Sequence, residues 1–201
     1  MIRFLLIRHA LTDAVGRLFA GRLPGIHLNE TGREQARRLA GGLESVQLTA
    51  IVSSPLERAL ETAAPIAVLH DLEVEVNAAL TEIDIGEWTG REFKALDSTS
   101  EWQLYNRMRS LTTAPAGESL LDVQHRAMTA ILALRGRFEN GTIAVVSHGD
   151  VIRAILLHCL GMPIDCLDRF EVSPARISIV DLSEGSARVI QVNGDNANAI
   201  G

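Results

Sequence analysis

Three separated stretches end on side chains able to do phosphate chemistry. Arg8-His9 closes an apolar run of strand length, Arg3-Phe-Leu-Leu-Ile7. His148-Gly149 closes a second, Ile143-Ala-Val-Val-Ser147, and a third, Ala50-Ile-Val-Ser53, leads through Ser54-Pro55 to Arg58. In open α/β sheets, ligands sit outside the carboxyl ends of parallel strands. If these strands are neighbours, Arg8, His9, Arg58 and His148 converge, and two guanidiniums with two imidazoles suit a dianion such as a phosphate. The arginines would hold its oxygens and gain strength as charge redistributes during transfer. A neutral imidazole can attack phosphorus with no proton to remove, provided its other nitrogen donates to a fixed acceptor. A leaving alkoxide needs a proton. Glu82, Asp84 and Glu87, within Leu80–Gly90, are the nearby candidates. Beside arginines such a carboxyl is ionised unless burial and the charge of the substrate raise its pKa.

Five ordered blocks surround these residues. They are Arg8-His9 with Thr12, Ser53-Ser-Pro-Leu-x-Arg58-Ala-x-x-Thr62-Ala, Leu80-x-Glu82-x-x-x-Gly86-x-Trp88-x-Gly90, Pro115-x-Gly117-Glu118-Ser119, and Val146-Ser-His148-Gly149-x-Val-Ile-Arg153. Together they resemble the histidine phosphatase superfamily, from about residue 3 to about residue 160. The resemblance implies a phosphoglycerate mutase-like fold and a small metal-independent phosphatase needing no cofactor. It makes His9 the nucleophile that becomes phosphohistidine and His148 a cationic donor to the transferring oxygens. Arg8, Arg58 and the Gly149 N–H would bind phosphate, with Glu82 as general acid and then base. The chain departs from the family pattern at Ala10, where most members have glycine. It also departs at Asp13-Ala-Val15-Gly16, which replaces a Trp-Asn pair whose asparagine bonds phosphate.

The elements that must position these groups follow from periodicity. Strand-length and helix-length patterns alternate through most of the chain, which predicts a three-layer α/β sandwich with a mostly parallel central sheet. Thr31-x-x-Glu34 reads as a capping box opening a helix whose face is Ala36, Leu39, Ala40 and Leu43. Ser54 and Pro55 read as N-cap and first residue of the next helix, putting Arg58 in its first turn; Pro65 interrupts or ends it. Leu72–Val76 is a third strand candidate. Ser119 to about Phe138 forms a long helix with an apolar face. Asp150–Leu160 forms another, stopped by Gly161 and Pro163. Arg176–Leu182 and Arg188–Val192 form an antiparallel edge hairpin, and Asn193–Gly201 is expected to fray.

Residues 88–105 hold four of the eight aromatics, Trp88, Phe93, Trp102 and Tyr105. Segment 88–116 is therefore expected to form a small helical lid within a single 1–201 domain, or else a satellite aromatic cluster without substrate contact. Trp102 and Tyr105 are the substrate-binding candidates there, with Arg107 and Arg109 as selectivity candidates. Arg17 and Arg22, in the Gly- and Arg-rich loop 12–30, either touch substrate or are solvated.

At 201 residues, 47% hydrophobic and 22% charged, the chain is an ordinary globular length and composition. A net charge of −6 weighs against nucleic acid or an anionic membrane as partner and leaves a small phosphate ester as the expected one. Cys159 and Cys166 show no metal or redox spacing, which fits a reducing cytoplasm. No stretch is long enough to span a membrane. A homodimer is compatible with the sequence. A metal on His9, His148 and Glu82 would be repelled by the adjacent arginines. A phosphoglycerate mutase-like transferase and a non-catalytic phosphate-binding module are the other readings. The short lid and Val15 weigh against the first, and the presence of every catalytic residue against the second.

Overall fold

The computed structural model describes residues 1–195. Its centre is a six-stranded sheet in the order β3-β2-β4-β1-β5-β6. The strands are β1 (Ile2–Arg8), β2 (Leu48–Ser53), β3 (Val74–Val76), β4 (Gly141–Ser147), β5 (Ile177–Ser183) and β6 (Ser186–Gly194). β3, β2, β4 and β1 run parallel, β5 pairs antiparallel with β1, and β6 returns antiparallel to β5 to form the edge hairpin that the pattern predicts. β1 is buried on both faces because its side chains alternate between two apolar layers. Leu5 and Ile7 pack with helices α1 (Glu30–Gly42) and α2 (Glu57–His70). Phe4 and Leu6 pack with α5 (Leu120–Arg137) and α6 (Gly149–Leu160). Between β3 and α5 lie two short helices, α3 (Phe93–Leu96) and α4 (Ser100–Arg107).

This topology sends the carboxyl ends of β1, β2 and β4 to one edge. Arg8 is in register with Ser147, and Ser53 with Val146. The three strands sharing that edge are the ones whose ends carry Arg8-His9, Ser53-Ser54 and His148-Gly149.

The helix starts differ from the sequence expectation in informative ways. α1 is capped by Asn29, whose side chain accepts from Gly32 N at 2.8 Å, and not by Thr31. The earlier start brings Gly32 against the loop after His9, where a Cβ would overlap the Leu11 carbonyl oxygen. α2 begins at Glu57 with Leu56 as N-cap, two residues later than Ser54-Pro55 suggests. Ser54 is still in strand-like pairing, its N–H donating to Val146 O at 2.9 Å, and its hydroxyl meets both His148 Nε2 at 2.7 Å and the Leu56 N–H at 3.3 Å. Pro65 neither breaks nor ends α2, which continues to His70 while Ile66 and Ala67 bury against the sheet side. Burial there outweighs the one backbone bond that a proline forfeits. The expected capping of α5 by Ser119 is present, completed by Asp122. Asn193 and Gly194, expected to fray, end β6; residues 196–201 of that expected tail lie outside the described residues.

Candidate active site

The converging strand ends open into a cavity of about 270 Å³ lined by Arg8, His9, Arg58, Glu82 and Gly149 among others. His9 is 5% exposed, Arg58 2% and His148 0%. The His9 and His148 rings lie 5.3 Å apart and tilted by 58°. His148 is fully buried beside the His9 ring.

His9 Nδ1 is 2.8 Å from the carbonyl oxygen of Ala10. A carbonyl can only accept, so Nδ1 carries the proton. Burial, then Arg58 and Arg8, drive the ring pKa down to about 3 from an ordinary 6.5, against a smaller upward pull from the Ala10 bond. The ring is therefore neutral, and its free lone pair is on Nε2. The loop that fixes this ring is itself tied down. Ala10 N donates to Thr62 Oγ1 at 2.9 Å, and Thr62 Oγ1 donates to Arg58 O at 2.7 Å. Thr62 lies one helical turn after Arg58, so a single hydroxyl joins the histidine loop to the helix that carries the arginine. Ala10 takes an ordinary backbone conformation, absent from the positive-φ residues, and its methyl packs on Leu28 and Ala36. Glycine is not needed there.

The arginines are held from behind. Arg8 Nη1 donates to Val172 O at 2.7 Å, and Arg58 Nη2 to Gly21 O at 2.8 Å. Arg8 Nε, Arg58 Nη1 and His148 Nδ1 are buried with no hydrogen-bond partner among the described residues. Buried donors of this kind are costly unless a ligand satisfies them. His148 Nε2 is 2.7 Å from Ser54 Oγ. Burial, then His9, Arg58 and Arg8, hold the pKa of His148 well below its usual value. The resemblance implies a cationic His148; within the protein alone it is neutral, and only a neighbouring dianion reverses that balance. His148 is also the N-cap of α6 and offers its N–H groups no side-chain bond, leaving the helix N-terminus at Gly149 free to meet an anion.

Glu82 lines the same cavity, half-buried by accessible surface yet closely surrounded. Burial foremost, with the Asp150 carboxylate next, lifts its pKa to about 7, against the downward pull of the Ile83 N–H, Arg58 and Arg8. Its loop is clamped by two distant guanidiniums. Arg22 Nε and Arg126 Nη2 donate to Glu82 O at 2.9 and 3.3 Å, and both arginines pair with Glu118. Gly86, at φ +48°, lets this loop pack against the 115–117 turn, where a Cβ would overlap the Pro115 carbonyl. The Glu82 and Glu118 sequence blocks are thus one structural unit.

The expected substrate contacts divide. Trp102 and Arg109 line the cavity; Arg17, Arg22, Tyr105 and Arg107 do not. Arg22 is turned onto the Glu82 clamp. Tyr105 is 1% exposed, stacked on the Trp102 ring, edge-on to Trp88 and covered by the Arg109 guanidinium, whose carbon lies 4.0 Å from its ring centre. The aromatic cluster packs as part of the core and presents Phe93 and Trp102 to the cavity. Val15 lines the wall where the family pattern has asparagine. Sequence reasoning gave no role to Asp150, Arg153 or Asn106, which line the cavity. The first two lay inside the His148 block, at positions one and four after Gly149, and the helical spacing was the available signal. Among the described residues, no cluster of three His, Cys, Asp or Glu groups is spaced to hold a metal ion.

Comparison with known proteins decides what this constellation belongs to. The family model of the histidine phosphatase superfamily (branch 1) matches residues 4–195. The chain belongs to the histidine phosphatase superfamily. Phosphoserine phosphatase 1 of Hydrogenobacter thermophilus is 31% identical over 96% of this chain and 92% of its own. A mutant phosphoserine phosphatase of Entamoeba histolytica, solved in complex with phosphoserine, has a TM-score of 0.87 at 28% identity, covering 97% of this chain and 98% of that one. A mycobacterial glucosyl-3-phosphoglycerate phosphatase has a TM-score of 0.87 at 27% identity, covering 96% and 98%. As a member of this superfamily with phosphatase relatives over its length, the chain is a phosphoric monoester hydrolase.

Proposed function

We propose that this histidine phosphatase hydrolyses a small phosphate monoester by way of a phosphohistidine at His9, without a metal ion. The carrying observation is the Nδ1–H bond from His9 to Ala10 O, which leaves Nε2 as the lone pair among Arg8, Arg58 and His148. In the first step Nε2 bonds to phosphorus as the ester P–O bond breaks, and protonated Glu82 gives its proton to the leaving alkoxide. Arg8, Arg58 and the Gly149 N–H hold the equatorial oxygens. The phosphate dianion draws a proton onto His148, which then donates to the same oxygens. In the second step a water oxygen bonds to phosphorus, the N–P bond breaks, and ionised Glu82 takes the water proton. The guanidiniums supply the charge that a metal would otherwise bring.

The free thiols Cys159 and Cys166 suit a reducing cytoplasm as the site of action. Rapid quench with a labelled ester should trap label on the protein that survives base and is released by acid. His9→Ala should trap none. Full turnover by His9→Ala would refute the mechanism. Free phosphate as product supports hydrolysis, whereas an isomerised phosphoglycerate would replace it with the mutase reading. Binding without turnover across a broad ester panel would point to a phosphate-binding module.

A further inference from the structure

The wall between Gly149 and the α3–α4 segment carries charge beyond that of Arg8 and Arg58. Arg109 Nη2 donates to Asp150 Oδ2 at 2.6 Å, and Arg153 Nη1 lies 3.5 Å from Asp150 Oδ1. Two guanidiniums therefore share one carboxylate, leaving the group with a net positive charge. All three residues line the cavity, Arg109 is only 6% exposed, and Nε of both Arg109 and Arg153 is buried without a partner among the described residues. Arg8 and Arg58 already match the two charges of a phosphate ester dianion. Glu82, near its titration point at neutral pH, contributes at most one further negative charge, which it loses in its acid form. Asp168 also lines the cavity but is exposed, where solvent screens it. The triad adjoins the phosphate seat: a Cβ at Gly149 would lie 3.5 Å from Arg8 Cζ and 3.8 Å from Arg153 Nη1.

We propose that the Arg109–Asp150–Arg153 triad is a subsite for a carboxylate on the leaving group of the substrate. The enzyme would then prefer phosphate esters of small hydroxy acids, with the carboxylate a few bonds from the ester oxygen. This rests on the phosphatase reading of the same cavity and adds the substrate class. One carboxylate offsets the single net charge of the triad, whereas a second phosphate would exceed it. The planar fork of an arginine is shaped for a carboxylate, and the Asp150 bond fixes the Arg109 fork before substrate arrives.

The test uses matched ester pairs on the unaltered protein. O-phosphoserine and O-phosphoethanolamine differ only in the carboxylate; 3-phosphoglycerate and glycerol 3-phosphate differ by its reduction. A charge-assisted contact predicts kcat/KM higher by about ten- to a hundredfold for the acid of each pair. In Arg153→Gln and Arg109→Gln the ratio within each pair should shrink towards one, chiefly through KM. Equal rates within both pairs, or a ratio unchanged in both variants, would overturn the proposal. A preference for fructose 1,6-bisphosphate over fructose 6-phosphate, with none within the acid pairs, would overturn it in favour of a second phosphate. Turnover of p-nitrophenyl phosphate by the unaltered protein reports on the phosphatase reading alone, so loss of that activity is distinguishable from loss of acid preference.

Discussion

Replacing Glu82 with Gln keeps the shape of the side chain and the loop clamp, which holds the backbone carbonyl, but removes the transferable proton. For an alkyl phosphate, whose alkoxide cannot leave unprotonated, the first step should slow by about 10²–10⁴-fold. For p-nitrophenyl phosphate the leaving group is stable as an anion, and that step should change far less. The second step still needs a base to activate water, so p-nitrophenol should appear as a burst near one equivalent per site and then stall. The pH dependence follows from a pKa raised to about 7. The acid is active when protonated, so at pH 6 roughly nine tenths of the enzyme is competent and at pH 8 roughly one tenth. In the unaltered protein the alkyl-to-aryl ratio of kcat/KM should therefore fall about tenfold per unit above pH 7. Stopped-flow measurement of both esters across pH checks this. Equal losses on the two esters, or a ratio flat with pH, would refute Glu82 as the proton donor.

Three further outcomes follow from the geometry. Thr62→Val leaves the buried Ala10 N–H without an acceptor, which should cost about 1–3 kcal/mol and lower Tm by roughly 2–4 °C per kcal/mol, with a larger fall in kcat than in phosphate affinity. Gly86→Ala places a methyl against the Pro115 carbonyl at a left-handed φ and should lower Tm by more than Ala does at Gly136, where nothing lies within reach; calorimetry of both variants decides. Because the pKa of folded His9 is depressed, the unfolded chain binds a proton between about pH 3 and 6.5 that the folded protein refuses. The corresponding stability is present above that window and is lost as pH falls through it, so Tm should drop less between pH 7 and 5 in His9→Asn than in the unaltered protein.

The β1, β2 and β4 ends were legible because apolar runs with polar ends leave few alternatives. The parallel order followed from strand–helix alternation. Arg8, His9, Arg58 and His148 could be placed together because each ends a strand or opens a helix. The helix starts were less legible. Ser54 is a good cap by residue type and its hydroxyl does accept from Leu56 N, but its own N–H stays paired with Val146 O, which keeps it in line with the strand. Asn29 gained the α1 cap through the approach of Gly32 to Leu11, a contact between segments that local sequence cannot display. Arg22 was placed near the site for its charge, yet it serves the Glu82 carbonyl in company with Arg126, more than a hundred residues away. Tyr105 looked like a ligand contact and became core, since its ring had Phe19, Trp88, Trp102 and the Arg109 guanidinium to bury against.

Asp150 touches two tasks at once. Its carboxylate anchors Arg109 from the α3–α4 segment, and its field adds to burial in raising the pKa of Glu82. Grafting a different segment at 88–116 to change selectivity would also change how fully that carboxylate is neutralised. A transplanted specificity should therefore arrive with a displaced pH optimum, and the two traits would have to be re-tuned together.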